Sequence, residues 1–382
     1  MPGAFEQVLS LRVESSTPLS IGGYDTLVQR RVNGRYIVED LRPQSLRGVF
    51  RWWTRALLAG GLYSLGVNGR LLLDAVSDLS AKIWGGVDGA SWLRVVVPEY
   101  VYRRANLDQL ARTHTRLRLL SLGGQDRFFS DMFVYASGSV SLEKARWSPL
   151  DSNQLLLAAL SMGVSFVLGC FGKGSRRGLG CFDIANVESS IPEVHRRLRE
   201  ASLRGGAARL VGYAYSIARS IGGATYGTGG SRSGLPSIPA VSPGVFRLFE
   251  CPSNRPPDVM SIVFSRCVTR LYNRQARLWA RKNAWILGLP RSQRGSGYFP
   301  ADREVERRGS PVLFSAHRGV SLMSVFYSMD WPSSIEWSSG RGRSLSIRVD
   351  EERVRNATDE AVGDLLSCLG SNGVSCSEVK VF

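Results

Sequence analysis

Residues 152–187 read SNQLLLAALSMGVSFVLGCFGKGSRRGLGCFDIANV, and this stretch decides how the rest of the chain is parsed. Its uncharged run, 155–171, is 17 residues long and is interrupted by Ser161, Gly163 and Ser165. That is short for a bilayer span and predicts a buried helix over 152–168. Alternating residues over 179–187 predict a strand. Between them lies a loop with four glycines in nine residues, together with Lys173, Arg176 and Arg177. Glycines leave backbone N–H groups unshielded, a shape that accepts an anionic oxygen, and the three cations add charge at the same place. The loop lacks the G-x-x-x-x-G-K-[ST] pattern and precedes a strand, so it is not a nucleoside-triphosphate loop. Read blandly, it is a tight turn whose glycines let the chain pack; the two readings are compatible.

Working outward, strands are expected over 7–14, 92–97 and 132–141, with a first helix over 45–59. Strand, helix, two strands, helix, strand is the βαββαβ order of a ferredoxin-like (RRM-like) domain. The second half repeats it. A strand is expected over 244–250, a long helix over 258–287, and a hairpin over 311–328 turning near Arg318-Gly319. A further strand over 343–349, a helix over 358–369 and a last strand over 377–382 complete it. The expected class is α+β, two tandem ferredoxin-like domains over 1–220 and 235–382. The glycine-rich run GGATYGTGGSRSG makes 221–234 the expected junction or loop.

The first helix, SLRGVFRWWTRALLAG, has Ser45 to cap it and Gly60-Gly61 to end it. Leu46, Phe50, Trp53 and Leu57 fall on one stripe, while Arg47, Arg51 and Arg55 recur every four residues opposite. Trp52 lies at the edge. Guanidinium groups hold phosphates and an indole can stack a base, so Arg47, Arg51, Trp52 and Arg55 are candidates for single-stranded RNA. The competing reading makes Trp52 a second-layer core residue and leaves the arginines solvated.

Composition points the same way. The 382 residues carry a formal net charge of +17, and 44 of the 49 basic residues are Arg. Such a chain favours a polyanionic partner, nucleic acid before membrane surface. Between 196 and 294, 16 Arg and one Lys stand against Glu200, Glu250 and Asp258, a net charge of +14. Within the expected long helix, Arg266, Arg270, Arg274, Arg277 and Arg281 share an arc, either as a phosphate or acidic-partner track or as a solvated face.

Catalytic and metal signals are weak. The three His, His114, His195 and His317, have no ligand spacing with any Cys, so no metal or other cofactor is expected. The six Cys form no C-x-x-C pair and read as small buried thiols of a reduced, cytoplasmic protein. No signal segment opens the chain, and no membrane partner is expected.

At this point the residues resemble the RAMP superfamily of CRISPR proteins, whose hallmark is a glycine-arginine loop after the second helix of a ferredoxin-like domain. TPLSIGGYD (17–25), RPQSLRGVFRWWTRALLAG (42–60) and KIWGG (82–86) are similar to the subunit-one RAMP family of the type III-B (Cmr) effector complex. That family's R-aromatic-W-x-R-A core is matched by Arg51, Trp52, Trp53, Arg55 and Ala56. In the second half, ILGLPR (286–291) and RRGSPVLF (307–314) are similar to its second RAMP domain, which adds Arg307 and Arg308 as weaker RNA-binding candidates. The 221–234 run and the heavy Arg content have no counterpart. The resemblance implies a non-catalytic RNA-binding subunit at the head of the complex, near the 3′ end of the guide RNA, that helps capture target RNA in antiviral defence. Its implied partners are guide (CRISPR) RNA, single-stranded target RNA, and the backbone and cap RAMP subunits. The alternative is a metal-independent RAMP endoribonuclease that processes guide RNA, using one of the three histidines in acid–base chemistry.

Overall fold

The computed structural model describes residues 4–21, 29–32, 35–38, 40–87, 89–98, 100–105, 133–227, 233–253, 255–268, 280–293, 296–301, 305, 307–339, 342 and 344–382. The second half of TPLSIGGYD (22–25), the region of His114, and Arg270, Arg274 and Arg277 fall outside them.

Strand β1 (Phe5–Ser15) is the spine of the first half. Leu9, Leu11 and Val13 alternate with more open residues and are fully buried, the period-two pattern of a half-covered sheet. After the ribbon β2 (Gln29–Val32) and β3 (Arg35–Val38) come helices α1 (Pro43–Ser64) and α2 (Gly69–Trp84). Strands β4 (Leu93–Val96), β5 (Tyr100–Arg104) and β6 (Val134–Ala145) follow, then α3 (Ser152–Leu168) and β7 (Phe182–Ser189). The sheet order is β4-β6-β1-β7, with β5 also on β6 and every pairing antiparallel. Helices α4 (Pro192–Glu200) and α5 (Gly206–Tyr226) lead out of this half.

The second half holds β8 (Phe246–Ser253), α6 (Pro256–Ile262), β9 (Arg291–Gln293), β10 (Ser296–Pro300), β11 (Val312–Ala316) and β12 (Gly319–Phe326). Strands β13 (Ser334–Ser339) and β14 (Ser344–Arg348), helix α7 (Glu351–Ser371) and β15 (Ser377–Val379) complete it. Its main sheet is ordered β11-β12-β8-β15, again antiparallel, so both halves place their strands second, third, first, fourth. The chain is an α+β fold.

Several expectations need correction. The strand expected over 343–349 exists as β14 but joins β13, β10 and β9 in a separate four-stranded sheet, outside the main one. The long helix expected over 258–287 is not continuous: α6 passes into a π turn at Val263–Cys267, Lys282 has a positive φ of 57°, and a 3-10 turn occupies Ala284–Leu287. A left-handed lysine cannot sit inside an α-helix. The junction expected over 221–234 begins later, because α5 runs unbroken to Tyr226. The cysteines are not free thiols: Cys170–Cys181, Cys251–Cys376 and Cys267–Cys368 are disulfides. The pairs are separated by 11, 125 and 101 positions and only the fold brings them together.

Helix α1 also differs from its expected bounds. Arg42 is its N-cap and Pro43 its first residue, where the missing N–H costs nothing, so Ser45 lies inside the helix. Gly60 and Gly61 do not end it; they let it cross its neighbours closely. A Cβ on Gly60 would lie 1.8 Å from the Val241 carbonyl oxygen, and one on Gly61 would lie 2.7 Å from the backbone of Arg219 in α5. Gly60→Ala is therefore expected to destabilise the fold by about 2 kcal/mol through overpacking, read as a lower denaturant midpoint with unchanged m.

Candidate nucleic-acid interface

The expected buried stripe of α1 is observed, with Leu46, Phe50, Trp53 and Leu57 at most 1% exposed. That burial turns the arginines outward. Trp84, the aromatic residue of KIWGG, is fully buried and fixes the helix: its indole N–H donates to Thr54 Oγ1 at 2.8 Å, and its carbonyl accepts from Arg47 Nη2. Arg51 and Arg55 make no ion pair among the described residues, and Arg51 Nε is buried without a hydrogen-bond partner. Lost hydration, followed by repulsion from Arg51 between them, pulls the Arg47 and Arg55 pKa values below the ordinary arginine range. A helix that stacks three guanidinium groups without a counter-charge is stabilised by any anion that settles on it.

The glycine-arginine loop lies beside the start of this helix. Gly172 has a φ of +80°, and a Cβ there would lie 2.2 Å from the Ser20 carbonyl oxygen, so only glycine fits. The N–H groups of Lys173, Arg177 and Gly180 donate to the carbonyls of Ser20, Gly174 and Pro18, so much of the expected anion-accepting backbone is spent inside the fold. What the loop presents is Lys173. Together with Gly172 and Phe171 it faces Ser45, Leu46 and Val49 of α1 across a groove of about 280 Å³. Arg47, Arg51 and Arg55 do not line this groove; by helical spacing they lie on another side of α1.

The other candidates serve the junction between the halves. Arg176 donates to the Ser310 carbonyl at 2.7 Å, its own carbonyl accepts from Phe314 N–H, and its guanidinium lies 5.8 Å from the centre of the Trp52 ring. Burial, then the charge of Arg308, pushes its pKa down to about 10, partly offset by Asp330. Arg177 forms a parallel bridge to Phe314. Trp52 is half-buried, edge-on to Trp53 at 5.0 Å and to Phe326 of β12 at 5.6 Å. That is a wedge between the halves, the second-layer reading of the residue.

Arg308 is 7% exposed, ion-paired with Asp330 at 2.8 Å and stacked on Trp331 at 4.5 Å. It is not placed to reach a phosphate; burial was invisible in a sequence that shows only two adjacent arginines. Arg307 beside it is exposed. The motifs ILGLPR and RRGSPVLF meet here, through the paired backbones of Leu289 and Arg308.

The arginine-dense segment is partly paired. Arg196 and Arg197 pair with Glu193, Arg247 with Glu378 and Asp359, Arg255 with Asp258, and Arg281 with Glu360 of α7. Arg266 hydrogen-bonds Asn372. Of the histidines, His195 lies on α4, whereas His317 is 8% exposed with Nδ1 3.2 Å from Asp183 Oδ1 and Nε2 2.7 Å from the Val167 carbonyl oxygen. No helix of the described residues is long and apolar enough to cross a membrane.

Residues 12–183, which span the α1 ridge and the loop, match the model of the RAMP superfamily. No curated protein matches the sequence. Among solved structures, apo Cmr1 from Pyrococcus furiosus superposes with a TM-score of 0.57 over 98% of both chains at 17% identity. A chain of a Type III-B Cmr-beta complex bound to cognate target RNA gives 0.55 over 94% of this chain and 100% of that one, at 11% identity. A further Cmr-beta structure, with target RNA, AMPPnP and ssDNA, gives the same score and coverage at 14% identity. Residues 12–183 thus match the RAMP superfamily, and the chain is similar to Cmr1 in fold along its whole length.

Proposed function

We propose that this protein is a non-catalytic, RNA-binding subunit of a type III-B CRISPR effector complex, and that the arginine side of α1, with the neighbouring glycine-arginine loop, holds single-stranded RNA. The two sheets, each with its flanking helices, are read as tandem ferredoxin-like RAMP domains. In this reading Arg47, Arg51 and Arg55 grip consecutive phosphates, Lys173 holds one from the loop side, and Arg307 is an outlying contact. Trp52, Arg176, Arg177 and Arg308 set the geometry instead, by locking the loop and the second half against α1. Guide RNA, target RNA and neighbouring RAMP subunits are the partners, and the head of the complex is the place.

The observation that carries this is the unpaired ridge. Arg47, Arg51 and Arg55 recur along one side of α1, and neither Arg51 nor Arg55 meets an acidic side chain among the described residues. The endoribonuclease alternative gains nothing from His317, whose two ring nitrogens are both engaged. A general base needs a free nitrogen within reach of the 2′-hydroxyl.

Binding of labelled single-stranded RNA, titrated with salt beside duplex DNA, tests the proposal. Log affinity is expected to fall against log salt with a slope of about −0.7 per phosphate contact, hence about −2 to −3 for three or four contacts. The RNA should remain intact on gels. Cleavage, or equal affinity for duplex DNA, would contradict the proposal.

A further inference from the structure

Strand β7 ends the first sheet, and only β1 pairs with it. The Ser190 N–H donates to the Val8 carbonyl, and Glu188 and Asn186 lie opposite Ser10 and Arg12. Antiparallel pairing alternates, so the backbone groups of Val187 and Ser189 point away from β1. Among the described residues no backbone group pairs with them on that side. The register also shifts between Arg12 and Val13, which leaves Ala185 as a bulged residue, exposed at the edge.

A cavity of about 370 Å³ runs along this edge. One face of a strand would line a cavity at every second position, whereas 182–187 line this one without a gap. The cavity therefore meets the side of the strand, where the backbone lies, and not one of its faces. Its far wall combines Leu198 of α4, Ser202 just beyond that helix, and Val320 and Leu322 of β12. The end at Asp183 is closed by the β11–β12 hairpin, whose Arg318 N–H donates to Asp183 Oδ1 at 3.3 Å and whose Arg318 guanidinium faces Asp183 and Glu14. Arg199, also on the wall, is exposed, and the acids of its own helix, Glu193 and Glu200, pair with Arg196 and Arg197 instead.

An occupant that fits this slot has three properties. It carries backbone N–H and C=O groups at strand spacing, apolar side chains for Leu198 and Val320, and a negative charge near Arg199. A small apolar molecule has only the second property, and a free phosphate only the third. From this geometry we propose that the β7 edge is a docking groove for an extended segment of another protein chain, which adds a strand beside β7 and sets an acidic side chain on Arg199. In this mode main-chain hydrogen bonds give affinity, and pockets for alternate side chains give specificity. The bulge at Ala185 keeps the added strand short, because pairing cannot run straight through it. That the segment belongs to a neighbouring subunit rests on the role proposed above; the strand addition itself does not.

The full chain is titrated with a fluorescent peptide in which valine and threonine alternate and a glutamate stands at one end. Hydrogen exchange is expected to slow at Val187 and Ser189 when the peptide binds, and to stay unchanged at Ser190, already bonded to Val8. Methylating the peptide's central amide nitrogens should weaken binding about tenfold, as two strand hydrogen bonds are lost. Arg199→Glu should weaken the glutamate peptide about threefold and favour its lysine counterpart by as much. Ser202→Trp, at an exposed position on the wall, should abolish binding by filling the slot. No binding of the peptide, binding that survives Ser202→Trp, or unchanged exchange at Val187 and Ser189 overturns the inference. So does self-association of the protein alone that Ser202→Trp removes, which would give the edge to a second copy. Peptide binding without RNA affinity would uphold the groove and overturn the α1 ridge, whereas RNA affinity without peptide binding would do the reverse.

Discussion

Replacing Arg51 and Arg55 together by alanine is expected to lower single-stranded RNA affinity about a hundredfold and to leave the fold intact. Each arginine lost removes a charge-assisted hydrogen bond to phosphate, about 1.5 kcal/mol or roughly tenfold, and the two add if they hold different phosphates. Neither side chain holds an ion pair in the described fold, and each repels a neighbour on the ridge. Their removal therefore breaks no ion pair in the described fold. The denaturation midpoint should stay within error of the wild type, while the salt slope falls by about 1.4 for two lost contacts. A hundredfold loss with an unchanged midpoint separates a binding ridge from a structural one. A variant that binds as well as the wild type would return these arginines to solvent.

The second large effect concerns the junction. Asp330→Ala is expected to destabilise the protein by about 3 kcal/mol, because breaking a buried pair strands the remaining charge. Asp330 accepts from Arg308 Nη2 at 2.8 Å and from Ser328 Oγ at 2.6 Å, and Arg308 has almost no access to water. The charge of Arg308 also disfavours that of Arg176, which Asp330 partly offsets. Asp330→Asn keeps the shape and one acceptor and should fall between the two. Urea denaturation reads the difference, and a change below about 0.5 kcal/mol for Asp330→Ala would mean that packing alone, through Trp52 and Phe326, holds the halves together.

These two predictions mark what was legible in the sequence. Period and punctuation were: the apolar run ending in glycine at 152–168 became α3, the hairpin turned at His317–Arg318, and the α1 stripe buried as its spacing required. The wheel of α1 also placed Arg47, Arg51 and Arg55 correctly on its outer side. What failed depends on distant partners. Gly60-Gly61 carries the same letters whether it ends a helix or admits a crossing one; only Val241 and Arg219 decide. Arg308 and Arg307 are neighbours in sequence with opposite exposures, set by Asp330 twenty-two positions away.

The charge count is only a coarse guide for the same reason. Part of the excess between 196 and 294 is met by Glu193 just outside that window and by Asp359, Glu360 and Glu378, acids near the end of the chain. The first helix has fewer arginines and no such partners. Net charge per segment measures supply, whereas an anion site requires charge that remains unpaired after folding. The cysteines repeat the lesson, because pairs 101 and 125 positions apart leave no spacing motif to read.

The central claim is that RNA lies on α1 and the glycine-arginine loop and not on the arginine-dense segment 196–294. Photocrosslinking of full-length protein to 4-thiouridine-labelled single-stranded RNA, with the crosslinked peptides identified by mass spectrometry, tests it directly. The account predicts crosslinks concentrated in peptides covering 43–57 and 171–177, and their loss in the Arg51→Ala, Arg55→Ala variant. Crosslinks concentrated between 196 and 294, unchanged in that variant, would contradict it.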